Sequence, residues 1–189
     1  MKTRKLSLLS AFFALTSSMI ACTINIGGPA YPDQRIPVST EAVGEFQSAM
    51  QTAVVAGAET GEITLIISEP QLTSYLAYKL QAQPKPLFTD PQVYLRDGQM
   101  RVYGTARQGD FLATAEIVVT AGVDEQGQLK IELTSADFGP LPVPAGLADL
   151  ISSTIQEAYV GAIGPAAVGF RLENITIADG SMTIAGRTK

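Results

Sequence analysis

The chain has 189 residues, with 13 Lys and Arg against 18 Asp and Glu, a net charge of −5, no His, one Cys and no Trp. An acidic chain without a basic cluster argues against nucleic-acid binding and against electrostatic attachment to anionic lipids. The absence of His removes the commonest general base and metal ligand, and a single Cys allows no disulfide within the chain.

The first 22 residues have a distinct pattern. Three cations lie within the first five positions, residues 6–20 are apolar with Ser and Thr and too short for a comfortable membrane span, and small Ala21 precedes the single Cys22. This pattern resembles the signal of a bacterial lipoprotein. We predict a signal peptide over residues 1–21 and lipidation, as with palmitate, at Cys22. Such an anchor would hold the protein on the extracytoplasmic face of the cell membrane or outer envelope. The alternative is an ordinary secretory signal that is cleaved nearby.

The mature chain is expected to form one domain behind a tether. Removing the three signal-peptide cations from a net charge of −5 leaves −8. Residues 22–38 contain several Gly and Pro and show little periodicity, which predicts a lipidated N-terminus and a flexible tether. Residues 39–189 are long enough for a single domain that is stabilised by burial alone.

Helical spacing of apolar residues predicts a first helix from Thr40 to Gly57, capped by Ser39 or Thr40. A strand at 63–67 follows, and its run of Ile and Leu indicates burial on both faces or a position under a helix. The stretch 68–71, "SEPQ", is a capping box that starts a second helix to about residue 82.

One hairpin motif occurs twice, as "VYLRDGQMRVYGTA" at 93–106 and "ITIADGSMTIAGRT" at 175–188. An Asp-Gly pair between alternating apolar residues predicts a two-residue type I′ turn, which needs positive φ at both turn positions. Each hairpin would place four aliphatic side chains on one face. Four identities in fourteen positions fit duplication and convergent hairpin chemistry about equally well.

Alternation of period two predicts a long strand at 111–123, a turn at 124–127 and a return strand from 129. A third helix is predicted from Pro144 to about Val160, and the phase of the last strands slips near Glu173 as a β-bulge would require. We therefore predict an α+β fold in which a curved, mostly antiparallel sheet wraps around amphipathic helices.

Four features follow one another between about residue 62 and residue 188. They are the "LxxxL" stripe of the second helix, "LRDGQMRVYG", "LPVP" before the third helix and the terminal "ITIADGSMTIAG". In these features and their order the chain resembles the LmeA-like family of bacterial envelope proteins, in the tubular lipid-binding superfamily. The resemblance implies a long curved sheet around a helix, an apolar groove for a phospholipid or fatty-acyl chain, and no catalytic residues.

The inward-facing positions of these elements supply the predicted wall of the groove. Small residues at Gly104, Ala113, Ala115 and Gly186 are expected to leave room along it. The candidate lipid-binding residues are Leu72, Leu76, Val93, Leu95, Met100, Val102, Ile117, Val119, Ile131, Leu133, Leu147, Ile151, Ile175, Ile177, Met182 and Ile184.

Two other classes of function compete with lipid carriage. Catalysis is not expected, because the chain has no His, no "GxSxG", no "HExxH" and no phosphate-binding loop, and no metal or cofactor is predicted. The stronger rival is a tethered structural or protein-interaction module with a filled core and no ligand. It would dock a partner through Tyr75, Tyr78, Tyr94 and Tyr103 on an outer face.

Overall fold

The computed structural model describes residues 23–84, 86, 88–143, 146, 149, 153 and 170–188. Cys22, the signal peptide and most of the third predicted helix, with Leu147 and Ile151, lie outside these residues. Within them the chain forms two helices and eight strands. The elements are β1 (Ile24–Asn25), α1 (Thr40–Thr60), β2 (Glu62–Ser68), α2 (Glu69–Gln81), β3 (Phe88–Arg96), β4 (Gln99–Gln108), β5 (Phe111–Val123), β6 (Leu129–Asp137), β7 (Phe170–Ala178) and β8 (Ser181–Thr188).

The strands form two sheets that together make a strongly curled half-barrel. In the first sheet, β3, β4 and β5 are neighbours, and the far edge of β5 pairs with β1 in parallel and with β6 in antiparallel fashion. The second sheet has the antiparallel order β2-β8-β7. The predicted α+β class, with a curved and mostly antiparallel sheet around helices, is confirmed.

Helix α1 starts where expected and ends one turn later. The Ser39 hydroxyl accepts a hydrogen bond of 3.1 Å from the amide of Ala42, which satisfies one of the unpaired donors of the first turn. At the other end Gly61 adopts a left-handed conformation, φ 79°, and its amide donates to the carbonyl of Gly57. The helix therefore runs past the predicted end at Gly57 and is capped by the next glycine, Gly61.

Helix α2 begins with the predicted capping box, in which the Gln71 side chain accepts a 2.9 Å hydrogen bond from the amide of Ser68. It packs on β3 and on α1. The Phe46 and Tyr75 rings of the two helices lie 5.1 Å apart, in a tilted arrangement that suits aromatic pairs. Neither described helix is long and apolar enough to cross a membrane.

Strand β2 alternates between buried and exposed positions. Ile63, Leu65 and Ile67 are buried, whereas Ile66 is 59% exposed. Helix α1 packs on this strand. Of the two expectations for this apolar run, a position under a helix is therefore the one observed, and burial on both faces is not.

The repeated motif forms two hairpins with the predicted turns and pairings. Asp97 and Gly98 have φ of 54° and 75°, and Asp179 and Gly180 have φ of 51° and 79°. Both residues of each loop are thus in the positive-φ region that a type I′ turn requires. The paired positions are Leu95 with Met100, Val93 with Val102, Ile177 with Met182 and Ile175 with Ile184.

Bulges keep the apolar side chains on the inner face. In β7 the register shifts between Leu172 and Asn174, which confirms the predicted slip near Glu173. Strand β6 has an equivalent shift: Val118 pairs with Ser135, whereas the next residue of β5, Val119, pairs with Leu133. One extra residue of β6 therefore lies between these two pairs. Each bulge reverses the alternation once and bends the strand, which helps the sheet to curl.

Residues 24–38, within the segment expected to be a tether, lie along the first sheet, and we call them the N-terminal strap. The amides of Ile24 and Ile26 donate to the carbonyls of Asp110 and Leu112, each at 2.9 Å. Further along, the side-chain oxygen of Gln92 accepts a hydrogen bond of 2.6 Å from the backbone amide of Ile36. The side-chain nitrogen of Gln92 donates to the backbone carbonyl of Ile36 at 3.1 Å. This side chain thus forms both hydrogen bonds that a neighbouring strand would form.

Candidate functional site

The inner face of the half-barrel is apolar along most of its described length. Residues that directly oppose each other across the ladders share a face of the sheet, and the inner set consists of aliphatic residues, Met, Gly and Phe, except at strand ends such as the exposed Gln108 at the end of β4. Charged side chains such as Lys130 and Glu132 alternate onto the other face of β6. The curled sheet therefore presents a surface suited to apolar contact alone.

Most of the predicted groove residues fill a continuous core. Ile131 and Ile175 are partly buried at its margin, and Leu133 is 43% exposed on the edge strand β6. The buried candidates are Leu72, Leu76, Val93, Leu95, Met100, Val102, Ile117, Val119, Ile177, Met182 and Ile184.

The small residues expected to leave room do not leave a cavity. A Cβ on Gly104 would lie 2.2 Å from the ring of Phe88, which is fully buried over this glycine. A Cβ on Gly186 would lie 2.5 Å from the backbone oxygen of Arg171. Ala113 and Ala115 have no exposed surface. Here glycine allows a ring and a neighbouring strand to approach closely, so the expectation of free space at these positions is wrong.

Open space lies at a different place, in a pocket of about 290 Å³ between the N-terminal strap, the C-terminal half of α2 and the start of β3. We call it the strap pocket. Ala77, Leu80 and Phe88 are its buried apolar lining and belong to the buried interior. Its full lining is Arg35, Val38, Ala77, Leu80, Gln81, Pro86, Phe88, Thr89, Asp90, Pro91 and Gln92. None of the fourteen predicted groove residues that the structure describes lines it.

The charged lining of the strap pocket is held by the strap itself. The guanidinium of Arg35 lies 4.3 Å from the centre of the Tyr31 ring, a favourable cation–π distance. The Tyr31 hydroxyl donates to the backbone carbonyl of Asp90. Burial raises the pKa of Tyr31 from 10.0 to about 12, so the hydroxyl keeps its proton, and its ability to donate, to a higher pH than an exposed tyrosine would.

A bulge in β3 shapes the floor of the strap pocket. The register shifts between Thr89 and Gln92, and Asp90 adopts a left-handed conformation, φ 52°. Pro91 cannot donate to a ladder, and a proline inside a strand often marks such a bulge. That proline was the available sequence signal for an irregular strand end here. The strap residues Arg35 and Val38 carry no comparable signal.

The tyrosines assigned to a docking face occupy three different environments. Tyr75 is buried against Phe46, and Tyr78 is 60% exposed on α2. Tyr94 and Tyr103 are on the outer face of the sheet, with ring centres 5.8 Å apart. The strap covers this pair, since the Tyr31 ring lies 6.1 Å from Tyr103 and the Tyr94 hydroxyl donates to the Gln34 carbonyl at 2.5 Å.

The two least exposed ion-paired carboxylates are engaged in structural contacts. The Glu116 carboxylate accepts from Arg101 at 3.0 Å and from the Tyr103 hydroxyl at 2.7 Å. The Glu69 carboxylate accepts from the amide of Leu95 at 2.7 Å and from Arg96. Among the described residues, no cluster of carboxylates, Cys or His could hold a metal ion. The prediction that the chain is not an enzyme stays a prediction.

No protein-family model matches the chain, and a search of curated proteins also finds no match. The resemblance to the LmeA-like family therefore stays a prediction that rests on the motifs and their order.

Proposed function

We propose that this chain is a lipid-anchored protein of the bacterial envelope that binds the acyl chain of a phospholipid or fatty acid. The observation that carries the proposal is the strap pocket, whose apolar lining continues into the core of a curled sheet. Small-molecule sites are typically concave and mostly apolar, with a few polar groups that fix the orientation of the ligand.

The chemistry of the strap pocket fits an acyl chain with an acidic head group. Each methylene that leaves water for the lining of Ala77, Leu80 and Phe88 gains roughly 0.8 kcal/mol. Among the described residues of the lining, Arg35 is the only cation, and it could pair with a carboxylate or phosphate at the mouth. The Asp90 carboxylate on the same lining disfavours anionic groups, so selectivity among head groups should be weak.

Membrane attachment is proposed to come from acylation of Cys22. Two or more acyl chains give stable anchoring, whereas a single chain gives marginal, reversible binding. Replacing Cys22→Ser should move the protein from the membrane fraction into the soluble fraction. Equal membrane retention of both forms would refute the anchor.

Ligand binding is tested by filling the strap pocket. Ala77→Leu adds three carbons to a buried position on the lining, and Val38→Trp puts a ring at a half-exposed position on the mouth. Both variants should weaken binding of a fluorescent fatty acid at least tenfold, while Ala58→Leu on the exposed face of α1 should not change it. Thermal melts of the same proteins show whether each variant keeps its fold.

The titration also decides between the proposal and its rival. If the wild type binds neither fatty acid nor lysophospholipid, the carrier is refuted and the filled-core interaction module takes its place. Unaltered binding by folded Ala77→Leu and Val38→Trp would refute the strap pocket as the site.

A further inference from the structure

We propose that the end of the first sheet at the turn between β4 and β5, residues 108–111, lies against the lipid bilayer and contacts it through Ile24 and Phe111. The inference rests on the proposed acylation of Cys22 and adds an orientation to it. The partner is the surface of the membrane that holds the anchor.

The distance from the anchor to the folded domain is very short. Strand β1 begins at Ile24, two positions after Cys22, so the chain between them spans at most about 7 Å. The predicted tether would have allowed the domain to move far from the membrane. A strap that joins the sheet at Ile24, the third residue of the expected mature chain, leaves no such freedom.

The strap is fixed to the sheet along this stretch. Three hydrogen bonds of 2.9 Å join it to β5 and the preceding turn, the last from the amide of Thr114 to the carbonyl of Gly27. A Cβ on Gly28 would lie 2.1 Å from the carbonyl oxygen of Thr114, and a Cβ on Gly139 would lie 2.7 Å from the Cα of Gly28. Residues on both sides therefore hold the strap in place, and an anchor at Cys22 would fix the position of the domain relative to the membrane.

The surface that this geometry turns toward the bilayer carries two large apolar side chains. Ile24 is 51% exposed, Phe111 is 45% exposed, and the two are direct partners in the parallel register of β1 and β5. The exposed Arg107 and Asp110 flank them with one charge of each sign. Apolar side chains at a membrane surface can enter the boundary between head groups and acyl chains, and a nearby acyl anchor supplies the affinity that two residues lack.

The lining of the strap pocket reaches the same end of the sheet. Phe88, on its lining, pairs with Ala106, and Gln108, two residues further along β4, pairs with Phe111. Two residues of strand correspond to about 7 Å along the sheet. An acyl chain could therefore pass from the anchoring membrane into the pocket without diffusing through water.

The absence of Trp from the chain allows a direct test. Two single-Trp variants are compared, Phe111→Trp at the proposed contact and Thr176→Trp beside the opposite hairpin turns. Phe111 lies at one end of β5, and Val119, which pairs with Met100 beside the hairpin turn, lies towards the other end. The eight residues between these two positions correspond to about 25 Å along the strand. The acylated protein, verified by intact mass, is reconstituted into phosphatidylcholine vesicles with and without brominated acyl chains, and Trp quenching is measured.

We expect Trp at position 111 to be quenched at least twofold by brominated lipid and Trp at position 176 to be unaffected. Equal quenching at both positions, or none at position 111 in vesicle-bound protein, would overturn the proposed orientation. If intact mass shows that Cys22 is not acylated, the anchor proposal fails by itself. The same variants, with Cys22 coupled to a maleimide phospholipid, then report whether this end of the sheet contacts a bilayer.

Discussion

The backbone amide of Gly98 donates a 3.0 Å hydrogen bond to the carbonyl oxygen of Ile177. The reciprocal bond runs from the amide of Gly180 to the carbonyl of Leu95, also at 3.0 Å. Gly98 and Gly180 occupy the same place in the repeated motif, as do Leu95 and Ile177. The two hairpins therefore meet about a pseudo-two-fold axis, and their turns join the two sheets into one half-barrel.

Valine at either turn glycine should destabilise the fold. A β-branched residue resists the left-handed conformation seen at Gly98 and Gly180, so Gly98→Val and Gly180→Val should each lower the free energy of unfolding by about 1–2 kcal/mol. Gly98→Asn should cost less, because Asn tolerates positive φ. Urea denaturation measures all three variants, and equal stability of Gly98→Val and wild type would contradict the turn assignment.

Glu69 should be a stabilising residue of this junction. Its amide donates to the carbonyl of Gly180 at 3.1 Å, while its carboxylate accepts from the amide of Leu95 and from Arg96. Glu69→Ala leaves the buried Leu95 amide without an acceptor and should cost about 1–3 kcal/mol.

Two variants make the Glu69 measurement specific. Glu69→Gln keeps an acceptor oxygen in place, so it should retain part of the stability. Glu59→Ala, at an exposed position of α1, should stay within about 0.5 kcal/mol of wild type. Denaturation curves in which Glu69→Ala matches Glu59→Ala would show that the junction does not depend on this carboxylate.

The matched glycines Gly104 and Gly186 should respond differently to a change of their neighbours. Alanine at Gly104 would contact the side-chain ring of Phe88, and alanine at Gly186 would contact the backbone of Arg171. Either substitution should lower the free energy of unfolding by about 1–3 kcal/mol. A Phe88→Leu background should reduce the cost of Gly104→Ala and leave that of Gly186→Ala unchanged. Thermal unfolding of the double mutants gives both coupling energies.

Gly122 offers a control for this pair. A Cβ there meets no atom within 4 Å, and its backbone is outside the left-handed region. Gly122→Ala should therefore be neutral or stabilise by up to about 1 kcal/mol. A loss at Gly122 as large as that at Gly104 would indicate that close contacts are not the cause.

Alkaline pH should weaken the attachment of the strap. Burial raises the pKa of Tyr31 from 10.0 to about 12. Below pH 10 the hydroxyl is protonated in both the folded and unfolded states, whereas between pH 10 and 12 the unfolded chain loses this proton first. Stability should therefore fall as pH rises through that interval. In Tyr31→Phe the fall should be shallower, although the variant starts from lower stability because the bond to Asp90 is lost. Melting temperatures of wild type and Tyr31→Phe are measured from about pH 9 to about pH 12. If both fall equally with pH, Tyr31 is not the cause of the alkaline loss of stability.

Sequence patterns located the elements well because local physics determines them. The two Asp-Gly turns, the box at Ser68 and the alternation from Phe111 to Val123 each have a short-range cause, and the structure has each one in the expected place. The end of α1 was missed because Gly57 and Gly61 are both able to end a helix. Only tertiary packing decides that the helix continues past the first.

The candidate site was less predictable, because periodicity distinguishes inner from outer side chains and does not distinguish a cavity from a core. Gly104 could have lined a groove, but the ring of Phe88, sixteen positions earlier, fills the space above it. The strap was also invisible to pattern analysis. Its attachment depends on isolated contacts such as that between Ile36 and Gln92, which no spacing within the strap encodes.

The central position of β8 in its sheet has a consequence for the order of folding. Ile63 on β2 pairs with Gly186 on β8, and β7 pairs with the other edge of β8. Strand β2 therefore has no partner in its sheet until nearly the whole chain is available, and pairing between residues so distant in sequence is intrinsically slow. The N-terminal half of the chain cannot close the half-barrel before β8 has been synthesised. Early in synthesis, β2 can therefore pack against α1, but its backbone waits for a partner that arrives near the end of the described chain.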